Sequence, residues 1–197
     1  MASGAGDVVL PKPNQDGAIA VERAIALRRS VRAFAPEALP LSAVSQAFRA
    51  RDTLRAVASA GALYPLEVYL VAGNVSGVPA GVYRYEPRRH RLVLESAGDA
   101  RAGVAEAALG QGWVAEAPAI LALAAVYERT ARKYGERAER YVHMEVGHAA
   151  QNVYLQAGVL GLGTTIVGAF RDEDLARSLG FTGPSKLLGL LPVGKPR

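Results

Sequence analysis

The sequence predicts a single α+β domain, and three observations carry that prediction. Half of the 197 residues are hydrophobic and only 21% are charged, the balance of a chain that buries a core. Helical and strand-like patterns are mixed along the chain without the regular strand–helix–strand alternation of a doubly wound sheet. No internal repeat, low-complexity tract or linker divides it, so residues 1–15 are expected to be a short flexible segment before one domain over 16–197.

The elements follow in chain order. Ile19 to Leu27 reads as a helix, with Val21, Ala24, Ile25 and Leu27 spaced on one core-facing side. Ser42 to Ala50 reads as a second, with Leu41, Val44 and Phe48 on one side and Pro40 just ahead of it. Leu66 to Gly73 has strand character and ends in the turn chemistry of GNVSG. GVYRYEPRRHRLVLES gives two alternating runs about Glu86-Pro87-Arg88, the pattern of a β-hairpin. Asp99 to Leu109 is an alanine-rich helix with Asp99 as its expected cap.

Ala117 to Val126 is a continuous apolar run that suits a buried central strand, although its periodicity alone does not distinguish strand from helix. Glu136 to Leu160 should be the longest helix, closed by Gly161 and Gly163. TTIVGAF suits a short strand, Asp172 to Leu179 a short helix capped by Asp172, and KLLGLLPVG a last strand. In ERTARKYGERAER, Glu128–Arg132 and Glu136–Arg140 have the i,i+4 spacing of a salt-bridged helix face.

Composition narrows the function classes. There is no cysteine, which excludes disulfides, thiolate catalysis and cysteine-ligated metals and makes a reducing cytoplasm the default compartment. No apolar run approaches the ~18 residues of a membrane span, and MASGAGDVVLPKP lacks the layout of a signal peptide. The net charge of +5 favours anionic partners. A basic nucleic-acid-binding module is the remote reading of that charge, but neither an aromatic platform nor a clustered patch accompanies it. Neither nucleic acid nor membrane is therefore an expected partner.

Several motifs fail on geometry. Gly161-Leu-Gly163 through Gly168 has its third glycine misplaced and follows a helix, the reverse of a dinucleotide-binding turn. His143 and His148 are five apart, ~140° around a helix, so no metal site is expected. Glu145, His148, Asn152 and Gln156 form a polar stripe on an otherwise apolar helix. That stripe either faces water or packs at a subunit interface or beside a polar cofactor.

RRSVRAF, SAGALYPLEVYLV, GVYRYEPRRHRLV, KYGERAERYVHMEVGHAAQNVYLQAGVLGLG, VGAF and LLPVGKP, in that order, resemble the nitroreductase-like flavoproteins. More narrowly they resemble the SagB-type branch, whose azoline dehydrogenases make thiazoles and oxazoles in modified peptides. The resemblance runs from Val9 to the end. It implies a nitroreductase-like α+β fold, a mostly antiparallel sheet flanked by helices, in an intertwined homodimer with FMN at the interface. It implies hydride transfer to or from the flavin N5 and a small-molecule or modified-peptide substrate. Azoline oxidation is one implied activity, and NAD(P)H-dependent reduction of nitro compounds or quinones is the alternative, with NAD(P)H then the electron donor.

Carried over by residue, the resemblance places Arg28 at the FMN phosphate, Ser30 at phosphate or ribityl oxygens, and Arg32 at the pyrimidine edge. Arg29 would contribute through its backbone. Ser59, Ala60 and Gly61 would come from the partner subunit, Ile166, Val167 and Gly168 would flank the ring, and Gln111 would lie near it. Lys195 and Arg197 would supply a second basic contact to the phosphate, and Lys133-Tyr134 matches the branch's catalytic pair. The chemistry agrees: guanidinium groups bind phosphate with charge-assisted bonds, and a fixed cation at the ring stabilises the charge that reduction creates. The chain departs from the family at Ala58, where proline is usual, and at GPSKLLGLL, where an acidic residue is frequent. No leader-recognition domain is evident, so peptide selection is expected to come from elsewhere.

Overall fold

The computed structural model describes residues 6–48, 50–51 and 54–197. A seven-stranded sheet forms the centre, built from β1 (Val8–Val9), β4 (Leu66–Ala72), β5 (Gly81–Glu86), β6 (Arg91–Ala97), β7 (Ala119–Ala125), β8 (Gly163–Thr164) and β9 (Lys186–Gly194). Its order is β1-β6-β5-β4-β7-β9-β8, and every ladder is antiparallel. A small ribbon of β2 (Ala50–Arg51) and β3 (Leu54–Arg55) stands apart from it.

The helices are α1 (Val21–Leu27), α2 (Leu41–Ala47), α3 (Arg101–Ala107), α4 (Trp113–Glu116), α5 (Tyr127–Tyr134), α6 (Ala138–Val159) and α7 (Asp172–Leu179). Because strand side chains alternate between faces, β4 and β7 feed two cores. Leu70, Ala72, Leu121 and Leu123 join Val142, Val146, Ala149 and Val153 of α6, with Val44 and Phe48. Val71, Ile120, Ala122 and Ala124 face Val104 and Ala108, with Val114, Leu175 and Leu179. β7 is buried along its whole length, which explains its unbroken apolar run.

Several expectations are corrected here. Residues 7–11 are not loose: β1 pairs with β6, Asp7 bridges Arg91 at 2.9 Å, and Leu10 is buried. Of the apolar side of α1 only Ala24 is buried; Val21, Ile25 and Leu27 are 58%, 56% and 43% exposed, because none of the described elements covers them. The charged stretch is not one helix. α5 stops at Gly135 and a short turn separates it from α6; neither Glu128–Arg132, both within α5, nor Glu136–Arg140 forms an ion pair among the described residues. Asp172 is the first residue of α7 rather than its cap, and TTIVGAF yields only β8 plus a bridge from Val167 to Leu190. Asp99 stands one residue outside the cap position, yet its carboxylate accepts the Arg101 N–H at 3.1 Å.

α6 positions everything that follows. Its Glu145, Asn152 and Gln156 line a cavity of about 750 Å³ against the sheet, while His148 is exposed. The polar stripe thus borders a cavity for most of its length.

Candidate functional site

The arginine-rich segment starts where α1 ends. Arg28 closes the helix, and Arg29 folds its guanidinium back onto the carbonyls of Ala26 and Arg28 at 3.0 and 2.8 Å. A cation at a helix C-terminus is favourably placed, so the Arg29 side chain serves α1 itself. The chain then runs alongside β8. Ser30 bridges Thr164, and the Val31 N–H donates to Thr164 O at 3.0 Å. Gly163 permits this approach, since a Cβ there would lie 2.5 Å from Val31.

Further on, Phe34 bridges Pro196, Ala35 N–H donates to Lys195 O, and Arg197 N–H donates to Ala33 O. The segment is therefore fixed between β8 and the C-terminal tail. That arrangement brings Arg28, Ser30, Arg32, Lys195 and Arg197 to one edge of the sheet. Phe34 also packs on Trp113, ring centres 6.5 Å apart.

Tyr154 of α6 joins the segment to its neighbour. Its hydroxyl accepts the Ile166 N–H at 2.9 Å, meets Thr165 Oγ1 at 2.9 Å and lies 3.5 Å from Ser30 Oγ. The Arg28 guanidinium carbon stands 5.3 Å from its ring centre. Burial works to raise the Tyr154 phenol, but the hydrogen bonds with Ser30, Thr165 and Ile166 and the Arg28 charge outweigh it and hold the phenol below its ordinary value.

The 166–168 stretch has one amide left to offer. Ile166 N–H is taken by Tyr154 and Val167 N–H by Leu190 O at 2.8 Å, whereas Gly168 N–H has no protein partner among the described residues. Gln111 reaches the adjoining Ala169 O at 3.5 Å and is anchored on Ala108 O.

A second cluster forms near the other end of α6. Ser59 Oγ accepts the Tyr64 N–H at 2.9 Å, closing a tight loop in which Gly61, Ala62 and Tyr64 have φ of 61°, 54° and 47°. Two of these are not glycine, so the loop holds backbone strain of about 1–2 kcal/mol per residue. Tyr64 O accepts from Arg129, whose other nitrogen bonds Glu67 at 2.5 Å; Glu67 also accepts from Ser185 at 2.8 Å and Tyr69 at 3.2 Å. Gly61 lies directly against the lysine–tyrosine pair: a Cβ there would sit 2.8 Å from Tyr134 Oη and 3.1 Å from Lys133 Nζ. Tyr134 is edge-on to Tyr141 at 4.9 Å, and Lys133 Nζ lies 5.4 Å from the Tyr134 ring.

Ser59, Ala60, Gly61, Lys133 and Tyr134 thus form one group, while Arg28, Ser30, Arg32, Gln111, Gly168, Lys195 and Arg197 form another. Tyr141 and Tyr154, which mark the two groups, are thirteen residues apart, about 20 Å along the helix axis. Tyr154, Thr165, Arg129 and Glu67 escaped the sequence reading.

The arginine group has the chemistry of an anion site. Arg28 and Arg32 have no carboxylate partner among the described residues, and Ser30 and Gly168 add exposed donors. Lys195 reaches Glu37 at 3.3 Å and Arg197 stands 4.0 Å from Glu116, both on exposed side chains where such pairs are weak. Thr164 Oγ1 beside Ser30 is buried without a partner. Guanidinium pairs, a hydroxyl and a free amide fit a phosphate joined to a planar imide, the composition of FMN.

An antiparallel α+β sheet edged by such a donor set is a scaffold suited to a phosphorylated planar cofactor. The chain belongs to the nitroreductase family, whose model matches residues 25–195. A protein of Methanocaldococcus jannaschii named "Putative nitroreductase" is 46% identical over 183 residues, covering 90% of this chain and 91% of that protein. A nitroreductase-type structure from Ralstonia eutropha superimposes with a TM-score of 0.85 at 25% identity, over 100% of this chain and 92% of that one. The Escherichia coli microcin synthetase McbBCD complex with truncated pro-MccB17 contains a chain of the same fold, with a TM-score of 0.76 at 23% identity. That match covers 96% of this chain and 78% of the other. Among the described residues no helix is long and apolar enough to cross a membrane, and no cluster of metal-ligating side chains occurs.

Proposed function

We propose that this protein is an FMN-dependent oxidoreductase of the SagB type, working as a homodimer. The observation that carries the reading is the sheet edge along which the Arg28–Arg32 segment runs beside β8, with Arg28 and Arg32 lacking a carboxylate partner and the Gly168 N–H lacking a protein partner among the described residues. FMN, when bound, supplies a centre at N5 that accepts or releases a hydride. The chain supplies placement and charge. Arg28 holds the phosphate with Lys195 and Arg197, Ser30 binds phosphate or ribityl oxygens, and Arg32 faces the pyrimidine edge. Gly168 offers the remaining amide to the ring, with Gln111 steadying its loop.

Lys133 and Tyr134 move a proton at the ring carbon of an azoline substrate, and the left-handed loop at Gly61 fixes where they stand. Their distance from the arginine group along α6 supports an arrangement in which one copy's pair serves the other copy's cofactor. The uncovered apolar side of α1 supports the same dimer. The likeness to a chain of a synthetase complex holding a pro-peptide supports a peptide substrate. A second reading, reduction of nitro compounds with NAD(P)H, has the near-full-length nitroreductase-named relative in its favour.

Absorbance of the purified protein tests the shared part: flavin bands are expected, and a colourless protein that takes up no added FMN overturns it. Anaerobic mixing with NADPH separates the readings, because bleaching favours the reductase and its absence the dehydrogenase.

A further inference from the structure

Tyr154 has three polar neighbours and a cation on a single side chain, and all four belong to the two chain segments that carry the candidate cofactor residues. Its hydroxyl spans Ser30 on one side and Thr165 and Ile166 on the other. Its ring meets the Arg28 guanidinium within the ~6 Å reach of a cation–π contact. Thr165 is buried, so its hydroxyl has no water to turn to and holds the Tyr154 hydroxyl in place. The lowered phenol agrees with a hydroxyl surrounded by donors and positive charge.

Such a hub removes freedom that an unliganded site would otherwise have. An arginine on an exposed loop samples many rotamers, and each must be frozen when an anion binds. Arg28 laid on the Tyr154 ring and Ser30 facing its hydroxyl have lost part of that freedom in advance. The contacts lie at Arg28 and Ser30, the phosphate and ribityl end, and do not include Arg32.

We propose that Tyr154 is a positioning residue that presets Arg28 and Ser30 for a phosphate group and thereby makes this site prefer FMN over unphosphorylated riboflavin. The inference rests on the FMN reading above. It concerns selection between flavins by a residue that need not touch the flavin ring.

Flavin-fluorescence titrations of the full chain, freed of flavin and then offered FMN or riboflavin, test it. Tyr154→Phe keeps the ring and loses the hydroxyl. Its FMN Kd should rise about tenfold, the scale of a lost hydrogen-bond hub, with the riboflavin Kd within about twofold of wild type. Tyr154→Leu, which also loses the ring, should weaken FMN further with riboflavin again little changed. Thr165→Val offers a second route should the tyrosine variants fail to fold, with an expected fall of about threefold in the FMN-to-riboflavin preference. Equal weakening of both flavins would assign Tyr154 a purely structural role and overturn the proposal, as would an unchanged preference in the variants. Wild-type protein that binds no FMN overturns the cofactor reading itself; wild-type binding with an unaltered Tyr154→Phe preference overturns the positioning role alone.

Discussion

The two ends of α6 are organised by opposite means. At Tyr154 the polar groups are preset by side chains, a phenol holding a serine, a threonine, an amide and an arginine. At Gly61 and Lys133 they are preset by backbone, a loop forced into left-handed conformations and tied down at Tyr64 by Arg129. The first end keeps Arg28 and Arg32 without a carboxylate partner among the described residues. The second stores strain that only its anchors can hold. The difference teaches which kind of substitution each end tolerates: polar truncation should damage the first, and added atoms or lost anchors the second.

The largest effect is expected at the first end. Arg28→Ala should raise the Kd for FMN about 100-fold, the loss of a charge-assisted bond, measured by flavin-fluorescence titration. Arg32→Ala should instead lower the flavin's reduction potential while weakening binding less, which potentiometry would resolve. Equal effects of both substitutions on affinity would erase the division between a phosphate arginine and a ring arginine.

Next comes the strained loop. Gly61→Ala adds a Cβ 2.8 Å from Tyr134 Oη at a φ of 61°, so a cost of about 2 kcal/mol and a displaced Lys133–Tyr134 pair are expected. Chemical denaturation reads the first and turnover the second. The flavin Kd should change little if the loop holds substrate chemistry rather than cofactor.

Removing an anchor should cost somewhat less. Arg129→Met leaves the partly buried Glu67 without its cation, a loss of about 1–2 kcal/mol in unfolding experiments near neutral pH. Burial raises the Glu67 carboxyl, but Ser185, Arg129 and Tyr69 together hold it below its usual 4.5. Its ionised form therefore stabilises the fold above pH 4.5, and that contribution is lost as pH falls through the lowered value. The gap between wild type and Glu67→Gln should accordingly close in acid.

The smallest effect is alkaline. Burial, and then the Glu67 charge, push the Tyr69 hydroxyl up to about 12 from 10.0. A raised pKa gives stability that is complete below 10 and lost as pH climbs toward 12. Tyr69→Phe should flatten the decline of unfolding free energy over that window.

Much of this was legible in the sequence, for definable reasons. The β7 run, the hairpin and the long helix each carry a local period or turn signal, and they appear where expected. The break between α5 and α6 was masked by a charge pattern that continues through Gly135. Arg28, Ser30 and Arg32 stand together in the chain, so a resemblance could single them out as candidates. Tyr154 could not be placed, because its partners lie 124 and 11 residues away and its neighbours in α6 are mostly apolar. Arg129 and Glu67 are 62 residues apart and meet only after β4 and α5 pack. Arg29 lies within the same basic cluster and turns its side chain back onto α1, which leaves its backbone as the part that could serve a ligand.

The contact between Phe34 and Trp113 has a practical consequence. The chain contains one tryptophan, and it stands against the aromatic residue that ends the arginine-rich segment. Emission excited at long ultraviolet wavelength therefore comes from a single known place beside that segment. A flavin settling there would quench it by energy transfer, and a shift without added ligand would report movement of the segment itself. The protein carries its own optical gauge of that edge.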